Sequence, residues 1–295
     1  MPSVQHQFLA RVIPKVRRSS EVEDPEKVRR EKLAEHAKAD TTPPTRVVRG
    51  CDVHTLDGLG FPVYDLLVTG TDPQRSVLYL HGGGYISHAD RVHWRYAVTL
   101  AERLDARIIF PVYPVAPEFT WRDSHPQLLS LFEQLAIDSP HGVTLTGDSA
   151  GGGYALALAE QLALRAGPQP THVVLISPWV DLTNAAPGTA AASARDPWLK
   201  MSRLRLCARW WSGGDDPTRP ELSPLHGDLS KLPSALMFCG TLDTLYPQCR
   251  ELADRAREQG WDLTYVEEPD LLHVYPILPI PEAKKALTAT LNFLD

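Results

Sequence analysis

The stretch Gly147-Asp148-Ser149-Ala150-Gly151 holds one hydroxyl between two glycines. Before it, Val143 to Thr146 alternates β-branched and apolar residues, as a buried strand does. After it, Tyr154, Leu156, Ala157, Leu158, Leu162 and Leu164 carry the crowded apolar pattern of a buried helix. A strand that turns so abruptly into a helix strains the residue at the bend, which is tolerable where Gly147 and Gly151 keep Cβ atoms away. The bend lifts the Ser149 hydroxyl clear of the backbone and aims the first N–H groups of the helix at the same point. Such a pentapeptide also occurs as an ordinary small-residue helix start, and the flanking strand and helix are what make Ser149 a candidate nucleophile. A serine hydroxyl is a poor nucleophile at neutral pH, so the chain must also supply a base and an orienting acid.

Of eleven histidines, three lie beyond Ser149: His172, His226 and His273. Where nucleophile, acid and base follow one another in that order, the base comes last. His172 begins an apolar strand and so lies at the wrong end of the sheet, and His226 sits in an irregular region. His273 follows the last strand pattern by a few residues and is the candidate base. The acid belongs at the carboxyl end of another strand, where it can hold the imidazole in one tautomer. Asp243, four residues past Cys239, fits best; Asp181 and Glu267 or Glu268 are its rivals. A tetrahedral intermediate needs donors for its oxyanion. The run Gly82-Gly83-Gly84 follows the apolar strand Val77-Leu78-Tyr79-Leu80, and the N–H groups of Gly82 and Gly83 with that of Ala150 form the expected set.

Strands alternate with helices to position these groups. Strand patterns cover Arg46 to Val53, Phe61 to Val68, Val77 to Leu80, Arg107 to Val112, Val143 to Thr146, Val173 to Ile176, Leu236 to Cys239 and Leu263 to Val266. The first two read as a hairpin around Leu56-Asp57-Gly58-Leu59-Gly60. Most of the others are apolar throughout, which indicates a mostly parallel sheet of about eight strands with helices on both faces. Helices are expected at Asp90 to Leu104, Gln127 to Ile137, after Ser149, at Gln248 to Gln259 and at Glu282 to Leu294. In such sheets the site lies at the carboxyl ends of the strands, where Gly82 to Gly84 and Ser149 fall.

Two regions break the rhythm. Residues 1–45 read as two helical pieces, the first carrying Phe8, Leu9, Val12, Ile13 and Val16 on one face with Arg11, Lys15, Arg17 and Arg18 largely elsewhere; Pro43-Pro44 closes the second. Residues 181–224 lack a strand and contain a helix near Ser202 to Trp211. The expected organisation is an N-terminal helical cap segment (1–45), a first core part (46–180), a cap insertion (181–224) and a second core part (225–295). Tyr85, Trp179 and Trp211, with Trp198, Trp210 and Phe8, are candidates for the wall of a substrate pocket.

The motifs His81-Gly82-Gly83-Gly84, Tyr113-Pro114-Val115-Ala116-Pro117-Glu118 and Gly147-Asp148-Ser149-Ala150-Gly151-Gly152, in that order, resemble the hormone-sensitive lipase family of carboxylesterases. The resemblance runs from about residue 76 to the C-terminus. It implies an α/β-hydrolase fold with a helical cap, no cofactor, and hydrolysis of small carboxylic esters, of short to medium acyl chains, through an acyl-enzyme. Carried over by position, Ser149 is the nucleophile, Asp243 the acid, His273 the base, and Gly82, Gly83 and Ala150 the oxyanion donors. His81 is structural, and Glu118 and Asp148 support the site from behind. Two departures weaken the substrate carry-over: Asp243-Thr244-Leu245-Tyr246-Pro247 lacks a second aspartate found in relatives, and His273-Val274-Tyr275 stands where His-Gly-Phe is common. The same triad would serve an amidase or deacetylase. A non-catalytic ligand receptor would tend to have lost the acid or the base.

Composition excludes other classes. With 43% hydrophobic and 22% charged residues, the chain is ordinary globular protein. The net charge is −6, but residues 1–50 hold eleven Lys and Arg against seven Asp and Glu, so that end carries +4 and the remainder −10. An acidic body argues against nucleic acid as partner. The basic first helix could touch a lipid surface, although packing on its own protein is the commoner use. Cys51, Cys207, Cys239 and Cys249 show no metal-like spacing and read as free thiols, no metal site is expected, and Pro14, Lys15, Arg17 and Arg18 interrupt any signal peptide early. A cytoplasmic location is the expectation, and a homodimer is allowed.

Overall fold

The computed structural model describes residues 1–16 and 20–295. Arg17 and Arg18, counted above among the basic residues of the first helix, lie outside the described residues. The strands are β1 (Cys51–Leu56), β2 (Val63–Val68), β3 (Arg75–Leu80), β4 (Ala106–Pro111), β5 (Val143–Asp148), β6 (His172–Ile176), β7 (Ala235–Leu242) and β8 (Leu263–Leu272). They form one 8-stranded sheet in the order β1-β2-β4-β3-β5-β6-β7-β8. β2 runs antiparallel to both β1 and β4, and every other pairing is parallel. The helices are α1 (Val4–Val16), α2 (Pro25–His36), α3 (Arg91–Leu104), α4 (His125–Asp138), α5 (Ala150–Leu164), α6 (Thr189–Arg195), α7 (Met201–Ser212), α8 (Tyr246–Gln259) and α9 (Pro281–Leu294).

The continuous apolar character of the strands has its physical cause in burial on both faces. Along β3, Leu78 and Leu80 join the core beneath α4, α5 and α8, whereas Val77 and Tyr79 join the core beneath α3, α9 and α1. In α3, Trp94, Ala97, Leu100 and Ala101 recur at helical spacing and are buried, and Trp94 stacks on Phe110 of β4 with ring centroids 4.1 Å apart. The helix starts where Asp90 accepts from Val92 N–H at 2.8 Å, an N-cap that satisfies one orphan donor.

Three elements differ from the sequence expectation. The first strand begins at Cys51 and not at Arg46, because residues 45–50 form turns. β8 runs on to Leu272, six residues beyond Val266; an irregularity in its pairing between Gly240 and Leu242 lets it follow the twist of β7 and deliver the chain directly to His273. The stretch between β6 and β7 holds α6 as well as the expected α7. In α1 the packed face is His6, Leu9, Ala10 and Ile13, while Phe8 and Val16 point outward at 64% and 69% exposure. Among the described residues no helix is long and apolar enough to cross a membrane.

Candidate active site

The turn from β5 to α5 puts Ser149 at φ 53°, ψ −121°. A non-glycine residue costs of order 1–3 kcal/mol there, so its surroundings must hold it in place. They do so through backbone bonds from both sides: Ser149 N–H donates to Ile176 O at 2.8 Å, and Trp179 N–H donates to Ser149 O at 2.8 Å. The close approach is possible only with glycine. A Cβ on Gly147 would lie 2.3 Å from Gly151 O, and one on Gly151 would lie 2.1 Å from Leu80 O.

His273 arrives from the end of β8, and its Nε2 lies 2.9 Å from Ser149 Oγ. Its Nδ1 lies 2.8 Å from Asp243 Oδ2 at the end of β7. All three side chains are buried, with Ser149 8% exposed, His273 3% and Asp243 0%. Asp243 Oδ1 accepts from Leu245 N–H at 2.8 Å, which fixes the carboxylate against the ring. Burial works against a charged His273, but the Asp243 carboxylate and its hydrogen bond, with Asp196 and Asp148 further off, outweigh it and raise the pKa above 6.5. An imidazole in this position can take a proton from the serine hydroxyl and remain stabilised once charged.

Asp181, Glu267, His172 and His226 are engaged elsewhere. Asp181 accepts from Thr183 N–H at 2.9 Å and Ala185 N–H at 3.1 Å and faces His226 Nε2 at 3.5 Å, so two rivals pair with each other. Glu267 accepts from Tyr246 OH at 3.1 Å, and His172 packs edge-on to Phe293 at 5.1 Å.

The glycine run departs from expectation. Gly82 N–H donates to Asp148 Oδ1 at 3.0 Å, so it is not available to an oxyanion. Gly83 and Gly84 line the cavity beside Ser149, and among the described residues their N–H groups and that of Ala150 meet no protein acceptor. Asp148, directly before the serine, is thereby explained. It also accepts from Tyr79 OH at 2.8 Å and faces His93 Nε2 at 3.4 Å; burial would neutralise it, but His93 and these hydrogen bonds hold its pKa below the ordinary value. His81 stacks on Tyr113 at 4.4 Å, and burial lowers its pKa to about 3, so it stays neutral. Glu118 is not behind the site: it binds His36 Nδ1 at 2.5 Å, while His36 Nε2 meets Ile86 O at 2.9 Å, and together these pin α2 to the loop after the glycines.

The cavity over Ser149 measures about 320 Å³. Trp179 and Trp198 line it, and Trp198 packs edge-on to His273 at 5.5 Å. Tyr85 and Trp211 do not line it; they stack on each other at 4.6 Å with Tyr85 against Trp179, one layer behind the wall. Phe8 is on the outer surface, and Trp210 is half-buried away from the cavity. Sequence reasoning passed over Asp196, which is 1% exposed and accepts from Thr244 N–H at 2.7 Å and Trp198 N–H at 2.7 Å. It ties the chain before α7 to the residue after Asp243, and it lies in an aperiodic stretch with no pattern to mark it. His93 had one visible signal, its place three residues after Asp90, a capping-box spacing. Among the described residues no group of three or more His, Cys, Asp or Glu could hold a metal ion.

Comparison with known proteins identifies the family. Residues 77–277 match the alpha/beta hydrolase fold family. An acetyl-hydrolase of Streptomyces hygroscopicus is 30% identical over 275 residues, covering 88% of this chain and 91% of its own length. An esterase of Acinetobacter venetianus is 25% identical over 222 residues, 74% of this chain and 73% of that one. The crystal structure of an esterase from the bacterial hormone-sensitive lipase family superposes with a TM-score of 0.81 at 26% identity, over 100% of this chain and 98% of that chain. The chain therefore belongs to the α/β-hydrolase fold family, in its hormone-sensitive lipase branch, and is a carboxylic ester hydrolase.

Proposed function

We propose that Ser149, His273 and Asp243 are the nucleophile, base and acid of this esterase, that Gly83, Gly84 and Ala150 supply the oxyanion donors, and that α1, α2, α6 and α7 form a cap over a core that carries the chemistry. The observation that carries the reading is the unbroken hydrogen-bonded line from Asp243 through His273 to Ser149. As Oγ bonds to the ester carbonyl carbon, Nε2 of His273 takes the hydroxyl proton and the carbonyl electron pair moves onto oxygen, facing the three N–H groups. The C–O bond to the alcohol then breaks, and the alcohol leaves with the proton from His273. Water repeats the sequence on the acyl-enzyme and releases the acid. A cavity of about 320 Å³ is near the small end for ligand sites and suits short to medium acyl groups, a reading supported by the acetyl-hydrolase relative.

A fluorophosphonate probe should add one phosphonyl group, found on Ser149 by peptide mass mapping. Failure to label folded protein, or labelling elsewhere, removes the assignment.

The raised pKa of His273 sets the pH dependence. The base must be neutral to act, so the acid limb of kcat/KM on an uncharged ester should lie above pH 6.5, the ordinary histidine value. The matching stability term has the opposite sense: it is fully present below pH 6.5 and is lost as pH rises through the folded-state value. A rate profile whose acid limb falls below pH 6.5 contradicts the assignment.

A further inference from the structure

The wall of the Ser149 cavity contributed by α2 and by the chain entering α7 carries Lys32, Lys200 and Arg203. Beyond residue 50 the chain carries −10, and Lys200 and Arg203 stand against that acidic background. The carboxylates on the same wall are already engaged. Glu35 pairs with Lys32 at 2.8 Å, Asp90 caps α3 and faces His93 at 3.1 Å, and Asp148 is held by Tyr79, Gly82 and His93. Among the described residues Lys200 reaches only a backbone carbonyl, Asp196 O at 2.8 Å. Nearby Glu21 hydrogen-bonds Ser202 and makes no ion pair with Lys200 or Arg203. Among the described residues neither of those two cations has a carboxylate partner, and both are half-buried. A cation with no carboxylate partner, at the wall of a cavity that opens onto Ser149, can receive an anionic group of a bound ligand.

Cys207, one turn along α7 from Arg203, faces the glycine run. A Cβ on Gly84 would lie 3.6 Å from Cys207 Sγ, and the positive fields of Arg203 and Lys32 both reach that buried thiol.

We propose that the ester substrate carries an anionic group, a carboxylate or a phosphate, and that Arg203 and Lys200 receive it at the wall of the cavity over Ser149. The proposal rests on the reading that Ser149 cleaves esters and adds the chemical class that the cap selects. Arg203 supplies a planar fork matched to two oxygens of such a group, and Lys200 adds a point charge. The core performs the reaction, and the cap discriminates by charge.

Three matched pairs test it. p-Nitrophenyl hydrogen glutarate against p-nitrophenyl pentanoate places a carboxylate on the acyl side. 4-Acetoxybenzoate against its methyl ester places one on the alcohol side, and 4-acetoxyphenyl phosphate against 4-acetoxyanisole does the same for phosphate. In at least one pair the anionic ester should have the higher kcat/KM. Arg203→Gln should lower the anionic-to-neutral ratio of that pair by about 10- to 100-fold, as the loss of a charge-assisted hydrogen bond does, with a smaller fall for Lys200→Gln. Raising NaCl from about 0.02 M to about 0.5 M should shrink the ratio in the unmodified protein, a readout independent of any variant folding. No preference in any pair, or a preference that survives both substitutions and salt, overturns the proposal. If neutral esters are still cleaved in a Ser149-dependent way, only this inference fails; if no ester is cleaved, the reading beneath it fails.

Discussion

Ser149→Ala should lower kcat on a short-chain p-nitrophenyl ester by about 10⁴- to 10⁶-fold, the loss seen when the nucleophile is removed from a serine triad. The substitution deletes one oxygen, and the serine is already buried at the bend between β5 and α5, so the backbone has no reason to rearrange. What remains is a site that can still bind the ester and still present the N–H groups of Gly83, Gly84 and Ala150. Such residues alone retain a modest acceleration over water. Circular dichroism and the thermal midpoint should match the unmodified protein, which separates lost chemistry from lost fold. A variant that keeps more than about a tenth of its activity would place the nucleophile elsewhere, and with it the meaning of the Asp243–His273 pairing.

Gly151→Ala tests the scaffold in place of the chemistry. Its new methyl group would lie 2.1 Å from Leu80 O and 2.5 Å from His81 O, both backbone atoms at the end of β3. Neither can swing aside as a side chain would, so α5 must move off the sheet, carrying Ser149 away from His273. Overpacking against fixed backbone should cost at least about 3 kcal/mol and leave much of the chain insoluble or unfolded. Gly167→Ala is the matched control: its nearest contacts would lie at 3.7 Å or beyond, an ordinary packing distance, and its effect should stay within about 1 kcal/mol. Urea midpoints for the two variants give the comparison. Equal stability would show that the tight passage between Gly151 and Leu80 is not needed.

The contrast between what could and could not be read in advance follows from periodicity. Ser149 and Asp243 come within four residues of the place where an apolar run stops, which is visible in the sequence, whereas the run before His273 stops at Val266 and β8 continues through Glu267, Glu268 and Asp270 to Leu272; the parallel sheet brings the three ends together at 2.9 Å and 2.8 Å. The glycine run was visible as a run, but its hydrogen-bonding directions were not. Which of three successive N–H groups faces the cavity depends on the local backbone, where Gly83 and Gly84 have positive φ, and on the Asp148 carboxylate that takes the first. The stretch between β6 and β7 was the least legible. Asp196 and Lys200 lie on a short segment there with no repeating pattern, and aromatic residues mislead. Trp211 and Tyr85 have the composition of a binding wall but satisfy each other by stacking. Glu118 reads as part of a motif, yet its partner is His36, 82 residues earlier, which no local signal reveals.

His6 accepts a hydrogen bond at 2.9 Å from the N–H of Leu272, the residue immediately before His273. The same helix is held a second time where Ser3 Oγ donates to Glu282 at 2.9 Å. Through Leu272 the seating of α1 therefore reaches the residue that precedes His273, so a change that loosens α1 disturbs the Asp243–His273–Ser149 line as well as the packing of α1 itself.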